Sequence, residues 1–364
     1  MKRILAMILC AAMVFSFAAC GTQAEAPAEA TANVPAAAGT EATAAPEKEV
    51  YTLKLGYSTS GVPAEESPTV MWCVAFKDKV AELTDGGVIV EIYDGGQLGT
   101  ADDTTGAVAA GSVEMSNQAL SILANYEPKV MVFDLAGVFK DAGNVNAMTN
   151  SEWVRENIFD PLEESADIRV LSCYCRGFRC FTSSKNELKV PADIAGQTIR
   201  IMDNAMYKAI VEALSANPVA IAGGEMYTAM ANKVVDGHEN TVFSYWQDKT
   251  YEVQDYAVMD NHTASVECGF INATFYHSLP AEYQAAIDEA AAYAQEQAEA
   301  VRANMTEVIT DKLINEGGMS IYTPTDEEYQ QWHDAYRQAS IDFLAKKVGS
   351  DFLDGFMNAY NGLA

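Results

Sequence analysis

Positive charge is scarce in this chain of 364 residues. Lysine and arginine together number 23 against 51 aspartate and glutamate residues, and the formal net charge is −28. A surface this negative repels phosphate backbones, so we expect no nucleic-acid partner. It also repels free organic anions, and a site for such an anion would need local positive charge. The few arginines are therefore the most informative residues of the sequence.

Histidine is scarce too, and the sequence shows no catalytic or metal-binding pattern. The spacing of the four histidines fits neither a metal site nor a catalytic triad; they are His238, His262, His277 and His333. Residues 56–60 (Gly-Tyr-Ser-Thr-Ser) approach a nucleophile elbow but lack its final glycine. We therefore predict no metal, no cofactor and no enzyme activity. The alternative is an exported, lipid-anchored hydrolase, which would need a serine or a carboxylate pair in a cleft.

The sequence lacks a hydrophobic run long enough for a transmembrane anchor. A short basic start precedes an apolar run over residues 4–19, which is too short to span a bilayer stably. The run ends with two alanines before Cys20, and this ending resembles a bacterial lipobox. We predict a lipoprotein signal peptide over residues 1–19 and lipidation of Cys20. The alternative is ordinary secretory cleavage beside an incidental cysteine.

Aromatic residues are absent from residues 22–48, which are almost all alanine, glutamate, threonine and proline. Such a composition cannot bury a core. We predict a disordered linker over residues 20–49 between membrane and domain. The chain is therefore expected to be exported and lipid-anchored to the outer face of the cytoplasmic membrane, at the cell surface or in the periplasm.

Paired cysteine motifs are missing as well. Seven cysteines are present, and an odd number of them follows the predicted lipidation site, so at least one thiol is unpaired within the chain. We interpret these residues as small buried apolar side chains, with one disulfide left open as an alternative. They are Cys73, Cys173, Cys175, Cys180 and Cys268.

An alternation of strand and helix patterns is present from residue 50 onward. A helix is predicted from a cap at Ser67 and Pro68 to about Thr84, between two strands. The predicted strands cover residues 50–57, 88–93, 113–118, 168–173, 197–202, 256–259 and 266–271. This alternation predicts an α/β fold with a parallel or mixed sheet. Ligands of such sheets bind beyond the carboxyl ends of strands, where we expect Gln97, Gln118 and Arg179.

One predicted helix is unusually long. Residues 281–316 contain no glycine or proline. About 35 residues at about 1.5 Å per residue make a rod of about 50 Å. The alanine-rich pattern does not sustain heptads, which argues against a coiled coil. We expect the helix to brace two lobes.

Three polar residues lie in or beside strands, where each needs a partner. Arg200 lies inside the predicted strand 197–202, Arg179 follows the strand 168–173, and Asn240 ends an extended segment. A guanidinium in a strand interior is costly unless it meets an anion, and its planar donors match a carboxylate. We predict that these residues hold an organic acid. For either arginine, a buried structural ion pair is an equally open alternative.

Six short motifs follow one another between residues 177 and 254. They are GFR at 177–179, PADIAGQTIR at 191–200, ANP at 216–218, EMYTA at 225–229, VDGHEN at 235–240 and YEVQ at 251–254. Each motif is weak alone, but the ordered series is specific. With QLG at 97–99 and the long helix after Pro280, the chain from about residue 53 resembles the solute-binding proteins of tripartite ATP-independent periplasmic (TRAP) transporters, of the dicarboxylate-binding DctP type.

The resemblance implies a two-lobed, periplasmic-binding-protein-like fold with hinge strands and a long helix spanning both lobes. Lobe I is expected to comprise residues 50–176 plus 266–305, and lobe II residues 177–265 plus 306–364. Ligand binding would close the lobes, and the closed form would dock on a membrane permease of a small and a large subunit. The expected ligand is a small organic acid, and delivery to the permease would serve uptake.

The resemblance also assigns roles to residues of the site. The family's carboxylate-clamping arginine corresponds to Arg200, its second arginine to Arg179 and its ligand-contacting asparagine to Asn240. Gln118 and Tyr57 lie near other positions that line the family's pocket.

Two departures from the family pattern bear on the ligand. Gly223 stands where a large aromatic residue often forms the pocket floor, which implies a roomier site or an aromatic ring from elsewhere, such as Trp246. Arg176 is an additional cation that would pair with a second ligand carboxylate, or only with a neighbouring glutamate. Dicarboxylates, aromatic acids, sugar acids and keto acids all stay open, and a sensory lipoprotein is a further alternative.

Overall fold

The computed structural model describes residues 49–363. The strands are β1 Tyr51–Gly56, β2 Val88–Tyr93, β3 Met115–Ala119, β4 Ile168–Ser183, β5 Thr198–Ile201, β6 Asn217–Ala220, β7 Gly237–Asn240, β8 Tyr256–Asn272 and β9 Ser320–Tyr322. The helices are α1 Pro68–Thr84, α2 Ala101–Ala109, α3 Ala142–Thr149, α4 Glu152–Val154, α5 Asp160–Ala166, α6 Ala205–Ala213, α7 Met226–Ala231, α8 Val242–Gln247, α9 Ala273–Ser278, α10 Ala281–Asn315, α11 Asp326–Val348 and α12 Ser350–Asn361. The predicted signal peptide, Cys20 and all but the last residue of the predicted linker lie outside the described residues.

The strands form one mixed sheet in the order β2-β1-β3-β8-β4-β7-β5-β6, and β9 pairs with β8. β1 is parallel to β2 and β3, and β5 is parallel to β6 and β7. The two long strands β4 and β8 pair antiparallel between these groups. The predicted mixed α/β sheet is therefore confirmed, with a parallel group on either side of a long antiparallel pair.

The lengths of β4 and β8 correct the sequence prediction. A strand was expected to end at residue 173, whereas β4 continues to Ser183, and the two predicted strands within 256–271 are one strand of 17 residues. Gly177, at φ +138°, lies at a register shift where β4 bulges and continues. Arg179 therefore lies within β4 and not beyond its end. The middle of β8 is polar and was not included in either predicted strand, but Asp260 and His262 are buried and hydrogen-bonded to each other.

The long helix α10 has 35 residues and confirms the prediction. Its first half contributes Ile287 and a series of alanines to one hydrophobic cluster, together with Trp72 of α1. Its last turns contribute Leu313 to a second cluster, with Phe243 of α8. Small alanine side chains allow close packing along the first half. The helix is therefore shared between two cores, as a brace requires. The lobe boundaries given above stay a prediction.

Candidate functional site

One cavity of about 790 Å³ contains most of the predicted site residues. Its wall is built from the loops after β1 and β2, the first turn of α2, the end of β3, the middle of β4 and the end of β5. Arg176, Arg179, Arg200, Asn240 and Gln118 all line it. The topology therefore brings together five residues that are up to 122 positions apart in the chain.

Arg200 is a buried guanidinium without an acidic partner. It lies in β5, which is paired on both sides, and only 4% of the residue is exposed. Its Nε–H donates to the carbonyl oxygen of Ile221 at 2.8 Å, while its two terminal nitrogens have no hydrogen-bond partner within residues 49–363. Burial lowers the pKa of Arg200 to about 10, with a smaller opposing effect from Glu239. The terminal nitrogens are thus free to bind an anion in the cavity.

Arg179 has an internal partner. Its Nε and Nη2 donate to the two carboxylate oxygens of Glu239, and Nη2 also donates to the Glu239 carbonyl oxygen at 2.9 Å. Burial opposes ionisation of Glu239, but the Arg179 guanidinium lowers the pKa of that carboxyl to about 2. The buried ion pair that the sequence raised as an alternative for Arg179 is therefore present, while a ligand contact of Arg179 stays a prediction. Its positive charge is largely neutralised before any ligand arrives.

Arg176 also has an internal partner. Its Nη1 lies 3.3 Å from Glu267 Oε1, and its Nη2 donates to Gln247 Oε1 at 2.7 Å. The sequence left open a second ligand carboxylate or a neighbouring glutamate as its partner, and the structure shows the glutamate. Arg176 thus contributes little net charge to the cavity.

Two neutral residues complete the predicted set at the wall. Gln118 Oε1 accepts a hydrogen bond from Ser58 Oγ at 3.1 Å. Asn240 Oδ1 accepts from the Thr241 backbone N–H at 2.9 Å, so its amide nitrogen is left as a donor. Both side chains present polar groups at the cavity wall, as Arg200 does.

Tyr57 and Trp246 are not among the residues that line the cavity. Tyr57 is 5% exposed and belongs to the core cluster under β1 and α1. Trp246 stacks on Tyr251 at 5.1 Å between ring centroids, and Lys312 Nζ lies 5.2 Å from its ring. Trp246 thus points from α8 toward α10. Its ring therefore does not take the place of the aromatic residue that is absent at Gly223.

Gly223 does line the cavity, and a Cβ atom built on it meets no atom within 4 Å. The space beside the Gly223 backbone, where a side chain would begin, is therefore open. Of the two alternatives that the sequence raised, the structure supports the roomier site.

Among the wall residues that sequence reasoning missed are two buried polar ones, Asn117 and Glu267. Glu267 lies in the apolar run of β8 and is 6% exposed, and Asn117 is fully buried in β3. The signal that identified the arginines, a polar group inside a strand, was present in both. Since Glu267 is 91 residues from Arg176, its role as a partner was not readable from sequence.

A buried polar network behind the wall holds Arg179 and Glu239 in place. His262 Nδ1 lies 3.0 Å from Asp260 Oδ2, and His262 Nε2 lies 3.5 Å from Glu239 Oε2. Burial alone would lower the pKa of His262, but Asp260 raises it above the ordinary value. His262 is thus a buried structural histidine and not a wall residue.

No helix within residues 49–363 is long and apolar enough to cross a membrane. In the same range, no group of three or more His, Cys, Asp and Glu side chains is placed to hold a metal ion. The five cysteines of this part of the chain are free and buried. These cysteines are therefore small buried side chains, as predicted, and none of them forms the disulfide that the sequence left open as an alternative.

A mixed α/β sheet around a cavity with one unpaired guanidinium defines a solute-binding protein. The chain belongs to the bacterial extracellular solute-binding protein family 7 (DctP), whose model matches residues 59–347. The resemblance to TRAP solute-binding proteins is thereby confirmed, and so is the prediction that the protein is not an enzyme, since this family serves transport.

Individual relatives agree with the family assignment. The chain is 29% identical over 299 residues to the C4-dicarboxylate-binding periplasmic protein DctP of Shewanella loihica, covering 81% of this chain and 87% of that protein.

Solved structures share the fold. The sugar acid binding protein DctPAm of Advenella mimigardefordensis, in complex with galactonate, has a TM-score of 0.81 at 23% identity and covers 87% of this chain and 100% of that one. A TRAP periplasmic solute-binding protein of Sulfurospirillum deleyianum with bound succinate has a TM-score of 0.76 at 26% identity and covers 85% and 98%. The two-lobed fold implied by the resemblance is therefore confirmed.

Proposed function

We propose that this protein captures a small organic acid outside the cytoplasm and delivers it to a TRAP permease of two membrane subunits for uptake. The observation that carries the proposal is Arg200, whose terminal nitrogens face the cavity without a partner among the described residues. A buried guanidinium in this state lacks a counter-charge, which a ligand carboxylate would supply.

The ligand carboxylate would form two parallel hydrogen bonds with Arg200, the geometry that a guanidinium offers to carboxylates. Asn240 and Gln118 would donate to the same carboxylate or to a neighbouring oxygen. Closure of the two lobes would exclude water, and each charged contact becomes stronger in the drier environment. Arg179, already paired with Glu239, would shape this part of the wall more than bind charge.

The ligands of related proteins support the proposal. The relative from Shewanella loihica is named for C4-dicarboxylates, and solved relatives hold galactonate and succinate. All of these ligands carry a carboxylate group. The relatives' ligands therefore support a carboxylate at Arg200.

The proposal includes membrane attachment through lipid at Cys20, on the outer face of the cytoplasmic membrane, with residues 20–49 as the tether. Metabolic labelling with a radioactive fatty acid should label the wild-type chain and not Cys20→Ser. Equal labelling of both chains, or labelling of neither, would contradict lipidation at this residue.

The binding site is tested by titration calorimetry of the purified protein against a panel of organic acids. Arg200→Ala should reduce the binding free energy of the tightest-binding acid by about 2–5 kcal/mol, the scale for loss of one partner of a buried charged pair. Arg337→Ala is the matched control, because Arg337 is an exposed cation on α11. Unchanged affinity in Arg200→Ala would contradict the assignment. Binding of neutral sugars alone would contradict the ligand class.

A further inference from the structure

The cavity wall carries more acidic than basic side chains, and two of its three arginines already have a carboxylate partner. Three arginines line it, but Arg179 is paired with Glu239 and Arg176 with Glu267. Four aspartates line it as well: Asp102, Asp103, Asp203 and Asp248. Arg200 is thus the one wall arginine without a carboxylate partner among the described residues. A ligand with one carboxylate satisfies this wall, whereas a second carboxylate would find no unpaired guanidinium.

Glu267 is placed to contact the ligand itself. Its Oε1 binds Arg176, while no residue of the described range binds Oε2. Burial raises the pKa of Glu267, and Arg176 acts in the opposite direction. A second anion beside Glu267 would add like-charge repulsion to a carboxylate that is already poorly solvated. A hydroxyl group could instead donate to Oε2.

A buried hydrogen-bond donor lies beside this acceptor. Asn117 Oδ1 accepts from Tyr174 OH at 3.2 Å, and Asn117 Nδ2 is buried without a partner. In the β3–β8 pair, Asn117 lies opposite Gly269, and Ala119 lies opposite Glu267. Since residues two apart in a strand share a face, Asn117 and Glu267 are diagonal neighbours on one face of the sheet. An unmade bond of a buried amide is unfavourable, and a ligand oxygen would satisfy it. A hydroxyl is a donor and an acceptor at once, which matches this pair.

We infer that the ligand is a hydroxylated monocarboxylate, with its carboxylate on Arg200 and its hydroxyl groups on Glu267 and Asn117. Glu267 is the specificity-determining residue, because it neutralises Arg176 and so removes the site for a second carboxylate. The inference rests on the proposed function, since it assumes that Arg200 binds a carboxylate.

The test is titration calorimetry with ligands matched in chain length. Erythronate, succinate and butyrate have four carbons and differ in hydroxyls and in the second carboxylate; galactonate, adipate and hexanoate form a six-carbon set. We expect the hydroxylated monocarboxylate of at least one set to bind tenfold or more tighter than both partners of its length. Preference for the dicarboxylate at both lengths, lost in Arg200→Ala, would overturn the inference and leave the proposed function standing. Absence of any Arg200-dependent binding would overturn the proposed function, and the inference with it.

The role of Glu267 is tested with Glu267→Gln, which keeps the shape and removes the charge. The ratio of dicarboxylate to hydroxy-acid dissociation constants should fall at least tenfold, because Arg176 regains its net charge. Asp203→Asn is the control, since it removes an equal charge from the wall at a residue not paired with an arginine. An unchanged ratio in folded Glu267→Gln, or an equal change in Asp203→Asn, would refute the role of Glu267. If circular dichroism shows that Glu267→Gln does not fold, the wild-type ligand series decides the inference alone.

Discussion

Replacement of Glu239 by glutamine should strongly destabilise the protein, although Glu239 is not itself a wall residue. The Glu239 and Arg179 side chains are 1% and 5% exposed, so the substitution leaves a buried guanidinium without its counter-charge. Loss of one partner of a buried pair costs about 3–5 kcal/mol. The fall of the pKa of Glu239 from 4.5 to about 2 gives a similar figure, about 3 kcal/mol. The pair thus holds a large fraction of a typical domain's net stability.

The pH dependence of this effect has a definite sign. A carboxyl whose pKa is lowered by folding adds stability above its unfolded pKa, and this stability is lost as the pH falls toward the folded value. Here that window extends from about pH 4.5 down to about pH 2. The difference between wild type and Glu239→Gln should therefore be full at pH 7 and should shrink as the pH falls through this window.

Urea unfolding followed by circular dichroism measures the difference at each pH. Glu82→Gln is the control, because Glu82 forms an ion pair with Lys79 but its side chain is 67% exposed, and such pairs contribute little. A loss in Glu239→Gln no larger than that in Glu82→Gln would refute the account of the buried pair. A difference that stays constant down to pH 3 would refute the role of the Glu239 charge.

Two further predictions concern the cavity wall. Gly223→Phe should leave the melting temperature unchanged, because no atom lies within 4 Å of a Cβ built on Gly223. Its ring should occupy cavity volume, so calorimetry should show binding of the larger acids weakened at least tenfold. Unchanged affinity would show that the ligand does not use this space. Trp246→Ala should lower the melting temperature through lost packing against Tyr251, yet leave ligand affinity within about twofold; a larger loss of affinity would return Trp246 to the site.

Local sequence patterns were enough to predict those elements whose residues all favour the structure that they adopt. α1 begins at Pro68 behind the Ser67 cap, whose Oγ accepts from the Val70 N–H, and α10 follows a long run without glycine or proline. The middle of β8 was not predicted as strand, because Asp260 and His262 interrupt the apolar pattern; in the structure these two side chains are hydrogen-bonded to each other. A local sequence pattern does not reveal the hydrogen-bond partners that a polar side chain meets only in the folded protein.

The same limit applied to the site. The position of an arginine inside a strand showed that it needs an anion, but not which anion. Glu239 lies 60 residues from Arg179, and Glu267 lies 91 from Arg176, so only the assembled sheet shows which charges are already paired. Trp246 lies outside the cavity wall for a related reason. Ser244 and Asp248, two residues to either side of it, line the cavity, and the sequence did not show which face of α8 borders the cavity.

The ion pairs of the wall also affect the ligand-free state of the receptor and the release of its ligand. Glu239 and Glu267 act as resident counterions, so the empty site leaves a single wall guanidinium without an internal counterion among the described residues. Under the proposed function, departure of the ligand separates one ion pair and leaves the other two intact. A carrier must release its cargo as readily as it captures it, and one contact of this strength is easier to reverse than three.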